Sequence, residues 1–308
     1  MLSLKCLSGT TRFSLPFMTP AVDKSPERAS LTAFSWTPLV WFGALIILCY
    51  WPVITRMVAQ WNNDEDMSHG FFVPALAAYI AWQQREKFFA TPARPAWMAL
   101  ALIVYAGLQV FVATLGAELF LARTAIVLSI IGAVWFLGGI ERLKVVAFPL
   151  FLLFFMVPIP AIIYNQITFP LQLLASRAAE WALMAIGIPV FREGNILELA
   201  GQKLSVVEAC SGIRSLLTLT FLSLIYGYFF DKRTWMRVLL FLATVPIAIV
   251  ANASRVTLTG ILSEVKPELA HGFFHAASGW VIFMVALAIL AVFHQIVDRV
   301  SGALNARR

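Results

Sequence analysis

Eight apolar stretches follow one another along the chain, at Leu39–Val58, Gly70–Trp82, Ala96–Gly116, Leu119–Ile140, Val145–Tyr164, Gly212–Phe230, Met236–Ile261 and Gly279–Val297, with charged side chains held near their ends. A bilayer core about 30 Å thick takes about 20 apolar helical residues to cross, and most of these stretches reach that length. No soluble fold of this size hides so much apolar surface. Of 308 residues, 60% are apolar and 13% charged, against roughly 25% charged in a soluble domain. A soluble enzyme and a disordered chain are excluded, and the three cysteines Cys6, Cys49 and Cys210 make no disulfide framework. The fold class expected is an all-α polytopic membrane protein of about eight transmembrane helices. The second stretch is short, about 20 Å as a helix, and either thins the bilayer or starts below its surface.

The expected organisation is a cytoplasmic tail over residues 1–35, a membrane domain over 36–300 and a short cytoplasmic tail over 301–308. One segment, Asn165–Pro189, does not fit a span. Gln172, Ser176, Arg177 and Glu180 share one helical face, with Leu171, Leu174, Trp181 and Met184 on much of the rest. An Arg and a Glu in mid-membrane are costly, so an amphipathic helix lying on the outer interface fits better. Charge supports the choice. With eight spans and the N-terminus inside, the inner side holds 15 of the 23 basic residues, among them Arg85, Lys87, Arg142, Lys144, Lys232 and Arg233. A ninth span would carry Lys232 and Arg233 outside, against the positive-inside rule. The net charge of +7 is therefore a topology signal and no footprint of nucleic acid. The outer side receives Asn62–His69, Ile159–Ser211 and Ser263–Ser278. Within the long segment, Asn195–Ala200 and Lys203–Val207 flank a Gly201-Gln202 turn, which predicts a short hairpin. Gly138-Gly139 reads as an ordinary helix terminus.

Four clusters carry chemistry. Glu208-Ala209-Cys210-Ser211-Gly212-Ile213-Arg214 sets a thiol where an outer segment enters the sixth span. A helix N-terminus stabilises thiolate, Ser211 can cap the helix and Arg214 adds positive potential. The bland alternative is a packing cysteine, the reading given to Cys49. In Asn252-Ala253-Ser254-Arg255 the arginine lies about 28 Å up the seventh span, with Asn252 one turn below. Arg255 either snorkels to headgroups or holds a carboxylate or oxyanion. His275, in His271-Gly272-Phe273-Phe274-His275, opens the last span and can exchange protons with a thiol and a leaving amine. Alternatively it is an interfacial histidine among aromatics, and His294 is assigned to structure. Asp66-Met67-Ser68-His69-Gly70 closes an acidic loop that orients substrate, binds a metal or simply caps a helix. Cys210, Arg255 and His275 thus map to one membrane face and nearly one depth, the arrangement acyl transfer through a thioester requires.

At these residues the chain resembles the exosortase/archaeosortase family of membrane cysteine transpeptidases. The matching text is Glu208-Ala209-Cys210-Ser211-Gly212, Asn252-Ala253-Ser254-Arg255 and Phe274-His275-Ala276-Ala277-Ser278-Gly279-Trp280. Asp66–Gly70 and the stretch from Gly187 to Asn195 resemble it as well. The resemblance implies Cys210 as nucleophile, Arg255 as substrate or oxyanion partner and His275 as acid/base. Glu208, Ser211, Arg214, Asn252, Asp66 and His69 would bind substrate or support the site. It implies no metal and no cofactor. The implied partners are secreted proteins ending in a Pro-Glu-Pro-type motif, a membrane helix and a basic cluster, with an envelope amine as acceptor. It also implies an inner-membrane setting with the site facing outward, and a link to exopolysaccharide export. Two rivals stand beside this reading. A transporter predicts polar residues and broken helices at the bilayer midplane. A metal-dependent hydrolase would use Asp66, His69, His271 and His275, but without a fixed ligand spacing.

Overall fold

In hydrocarbon a lone segment can satisfy its own backbone polar groups only as a helix, and each long apolar stretch takes that form. The computed structural model describes residues 36–206, 213–265 and 272–305. In order these form α1 (Trp36–Asn63), a 3-10 turn (Glu65–Phe71), α2 (Phe72–Gln83), α3 (Arg85–Ala90), α4 (Met98–Leu115) and α5 (Leu119–Val145). Then come α6 (Ala147–Leu152) with a 3-10 extension (Leu153–Met156), α7 (Ala161–Ala185), β1 (Val190–Glu193), β2 (Ile196–Leu199), β3 (Lys203–Ser205), α8 (Ile213–Phe230), α9 (Thr234–Val265) and α10 (Gly272–Asn305). The expected 1–35 tail, Glu208, Cys210, Ser211 and His271 lie outside the described residues.

Among the described residues, six helices are long and apolar enough to cross a membrane: Val40–Asn63, Met98–Leu115, Leu119–Val145, Ile213–Phe230, Thr234–Glu264 and Gly279–Leu304. The chain is a helical polytopic membrane protein. The short second stretch is α2, whose 12 residues rise about 18 Å. The fifth stretch departs from expectation. It breaks after Met156, and α7 leaves at 85° to what precedes it. The sequence Val157-Pro158-Ile159-Pro160 explains the break, because proline offers no N–H and forces the residue before it into extended backbone. Val157 (ψ 117°) is extended accordingly.

Helix α7 therefore starts at Ala161, earlier than the Asn165 expected, and its polar stripe has a partner the sequence did not reveal. β1, β2 and β3 form an antiparallel sheet in that order, with Leu197 opposite Leu204 and Phe191 opposite Glu198. The sheet sits on the stripe. Ser176 Oγ donates to the Gly194 carbonyl at 3.1 Å, Asn195 Nδ2 to Gln172 Oε1 at 3.1 Å and Arg192 Nε to Glu180 Oε2 at 2.7 Å. Buried Leu197, Leu199, Leu204 and Val206 fill the space between the sheet, Ala175, Ala179 and Leu183 of α7, and Val256 of α9. The other face of α7 is apolar and exposed at Leu174, Trp181 and Met184. Two larger cores hold the helices. One joins α1, α2, α5, α6 and α8 around Met57, Trp61, Val73, Ile80, Leu152 and Phe221, and the other joins α8, α9 and α10 around Leu219, Met236, Leu240, Ala248 and Leu290.

Polar contacts then gather at the two ends of the bundle. At one end, buried Asp231 takes a fork from Arg233 (Nη2 to Oδ2, 2.6 Å), which also reaches Asp298 of α10 at 2.6 Å. His294 Nε2 lies 3.1 Å from Asp231 and its Nδ1 3.0 Å from the Tyr226 hydroxyl, in keeping with a structural role. The Arg233 guanidinium holds the Asp231 carboxyl well below the usual carboxylate range. Cys49 is exposed on α1 and packs no core. Gly138-Gly139 also departs from expectation: it forms a kink inside α5, with Gly139 at φ 78°. There the 94–96 segment runs alongside, Arg94 N–H donating to the Gly138 carbonyl at 3.3 Å, and a Cβ on Gly139 would sit 2.3 Å from the Arg94 carbonyl oxygen. Gly139→Ala should accordingly cost about 3 kcal/mol or more, from a backbone region nearly closed to L-residues plus the clash. Gly107→Ala on α4, where a Cβ meets nothing within 4 Å, should cost nothing. Thermal unfolding of both variants in detergent checks the contrast, and equal midpoints would refute it.

Candidate active site

The end opposite Asp231 is built around the turn that carries Asp66. Asp64 caps this turn, its Oδ1 accepting the Asp66 N–H at 3.0 Å. Trp61 fixes it from below. Its indole N–H donates to the Met156 carbonyl at 3.0 Å, and it lies so close to Gly70 that a Cβ there would fall 2.4 Å from Nε1. Only glycine lets the α1–α2 corner close over that ring.

Two loops' worth of chain are thereby pinned under one carboxylate. Asp66 Oδ2 accepts the Tyr164 hydroxyl at 2.5 Å, and Asp66 Oδ1 accepts Arg214 Nε at 2.7 Å. Tyr164 lies in the first turn of α7, and Arg214 is the second residue of α8. Asp66 was expected to cap a helix, bind metal or orient substrate. Asp64 does the capping, and Asp66 ties the α1–α2 corner to the starts of two other helices. His69 follows three residues later in the same 3-10 turn. Burial pushes its imidazole below the ordinary range, against a smaller upward pull from the carbonyls of Asp66 and Phe155. Burial thus favours the neutral imidazole at His69.

Arg255 and Asn252 come from α9. A Cβ on Gly279 would stand 3.0 Å from both Cζ and Nη2 of Arg255, so α10 approaches the guanidinium closely only because residue 279 has no side chain. His275 lies one helical turn before Gly279 on α10; its side chain is outside the description. Asn252, 5% exposed, lines a small, shallow cleft with Leu171, Leu216, Ala248 and Ile249, between α7, α8 and α9. Val256, next to Arg255, is buried against the sheet.

The structure thus brings Asp66 to Arg214, and Arg255 to the helix turn after His275. It does not bring His294 into either group. Glu208, Cys210 and Ser211 lie outside the described residues, three to six positions before the Arg214 that Asp66 holds. Sequence reasoning missed Tyr164. A tyrosine just past Pro158-x-Pro160 was the available signal, since a phenol at a helix start seeks an acceptor.

The Asp66 bridge carries a direct prediction. Asp66→Asn keeps shape but leaves one acceptor oxygen for two donors, so it should lower stability by about 1–2 kcal/mol, and Tyr164→Phe by about 1. Thermal unfolding in detergent measures both. An unshifted midpoint for Asp66→Asn would mean that the bridge holds nothing.

Searches of curated proteins and of solved structures give no match. Among protein families, the description "Transmembrane exosortase (Exosortase_EpsH)" matches residues 61–292. That range contains the Asp66 turn, the Arg214 contact, the Arg255–Gly279 approach and every segment between them, and on it the chain belongs to the transmembrane exosortase family.

Proposed function

We propose that this protein is a cysteine transpeptidase of the bacterial inner membrane that cleaves a C-terminal sorting signal from secreted proteins. The signal would carry a Pro-Glu-Pro-type motif before a membrane helix and a basic tail. Both termini would be cytoplasmic and the Asp66 end of the bundle would face outward, with α7 and the sheet on that surface. Eight crossings are supported by contacts at the two ends. Gln84, after α2, bonds Tyr228 at the inner end, and Phe148 of α6 stacks on Tyr228 at 4.3 Å, whereas Asp66 and Tyr164 meet at the outer end. On this reading α2 and α6 each pass between the ends despite their brevity. The break after Met156 is one a transporter would share, but it turns α7 beneath a sheet instead of opening a polar midplane.

The observation that carries the reading is the contact between Arg255 and Gly279, one turn from His275. It supports a guanidinium and an imidazole reaching one reaction centre. The Cys210 thiolate attacks the substrate carbonyl, and Arg255 holds the oxyanion. His275 then delivers a proton to the departing amine, leaving a thioester on Cys210. An envelope amine attacks that thioester, restores the thiol and carries the protein away, in a process linked to exopolysaccharide export. Asp66, through Arg214, holds the start of α8 immediately after the nucleophile; Glu208, Ser211, Asn252 and His69 line or steady the site.

Cys210→Ala should abolish processing, so that substrate accumulates with its membrane tail intact, and Cys210→Ser should be nearly as inactive. Arg255→Lys keeps charge but loses the planar fork, and should lower processing by about tenfold or more while the protein still inserts. Immunoblots of a tagged substrate in cells carrying each variant measure this. Full processing by Cys210→Ala would refute the function.

A further inference from the structure

The sheet on α7 ends in an open edge, and the hydrogen-bond register says which groups face it. Leu199 N–H donates to the Gln202 carbonyl at 2.9 Å and Val206 N–H to the Asn195 carbonyl at 3.0 Å. These bonds fix the hydrogen-bonded pairs as 199 with 202, 197 with 204 and 195 with 206, since such pairs alternate along an antiparallel ladder. Lys203 and Ser205, opposite Glu198 and Ile196, are then the non-bonded pairs. Their N–H and C=O groups point away from β2. No described strand lies on that side, because the sheet order is β1-β2-β3. Two residues thus offer four backbone groups outward.

Exposed strand edges are usually blunted, because they invite another chain to pair. Here the edge is anchored on its inner face and lies at the site. Leu204 and Val206 pack with Val256, the neighbour of Arg255 on α9, and Ser205 precedes Cys210 by five residues. Five residues of chain span no more than about 17 Å, the length of a short strand.

Resting on the transpeptidase reading above, we infer that the outer edge of β3 takes up the extended substrate segment as a fourth strand and delivers it to Cys210. Backbone pairing with Lys203 and Ser205 supplies affinity independent of side chains, and alternate side chains remain free for recognition. The edge also constrains the motif. In an added strand, every second residue turns its N–H towards β3. Two prolines separated by one residue share a parity, so both can point their missing N–H away while the intervening Glu pairs. Prolines at adjacent positions would break the ladder.

The test uses a synthetic sorting-signal peptide, with its membrane helix in detergent micelles, that the wild-type enzyme cleaves. Single N-methyl groups are placed along the segment around the motif. N-methylation at the Glu, and at the residue two places on, should raise KM about tenfold. N-methylation at the residue two places before the first proline, whose N–H faces away, should change KM less than about twofold. Ser205→Pro removes one outward N–H and no bond to β2, and should raise KM for the unmodified peptide about tenfold with kcat changed less than about threefold. A scan without alternation, or a wild-type KM in folded Ser205→Pro, would overturn strand addition and leave the cysteine chemistry untouched. Cleavage of the same peptide by Cys210→Ala would instead overturn the transpeptidase reading.

Discussion

Hydrocarbon solvates apolar side chains but no polar group, and that asymmetry orders this molecule. Side chains such as Leu48, Phe111, Trp181 and Val281 are more than half exposed because lipid, not protein, is their partner. Few residues are then needed to hold helices together, and small ones do much of it: Ala77, Ala99, Ala106, Ala125 and Ala179 are almost wholly buried and bring backbones close. A few neutral pairs such as Tyr50–Ser129 and Thr220–Thr244 lie within the helices, while charged contacts stand out in two clusters at the helix ends. One is the Asp231–Arg233–His294 lock. The other is the Asp66–Tyr164–Arg214 bridge, with Arg255 against Gly279.

The fold was legible where hydropathy speaks. The long helices α1, α4, α5, α8, α9 and α10 lie where apolar length put them, and β2 pairs with β3, although the Leu199–Gln202 bond sets the turn at Ala200-Gly201 and not at the Gly201-Gln202 expected. It was illegible where a partner from elsewhere in the chain decides. The stripe of Gln172, Ser176 and Glu180 looked like a face for water and headgroups, yet it is the seat of the sheet, and nothing within α7 itself says so. The 85° break was written in Pro158 and Pro160, which lie inside the expected apolar stretch Val145–Tyr164. Gly139 looked like a terminus because the Arg94 carbonyl, which leaves no room for a side chain there, lies 45 residues away in sequence.

The site shows the same division. Residue chemistry singled out Asp66, Arg214 and Arg255, but not how they are used. Asp66 is spent on holding Tyr164 and Arg214, and a cap was supplied by Asp64 two residues before. Arg255 meets α10 through the absence of a side chain at Gly279, a contact that no charge pattern reveals. Together these two devices fix the start of α8, which Cys210 precedes by three residues in sequence, and the approach of α9 to α10 one turn after His275.

The central claim is that acyl transfer passes through Cys210, and trapping the intermediate tests it most directly. Purified enzyme is mixed with a sorting-signal substrate without an acceptor amine, quenched in acid and analysed by denaturing gel and peptide mass spectrometry. The account predicts a covalent adduct on Cys210 that hydroxylamine releases, as a thioester requires. Substrate cleaved at its normal rate with Cys210 alkylated beforehand, and no adduct at that residue, would contradict it.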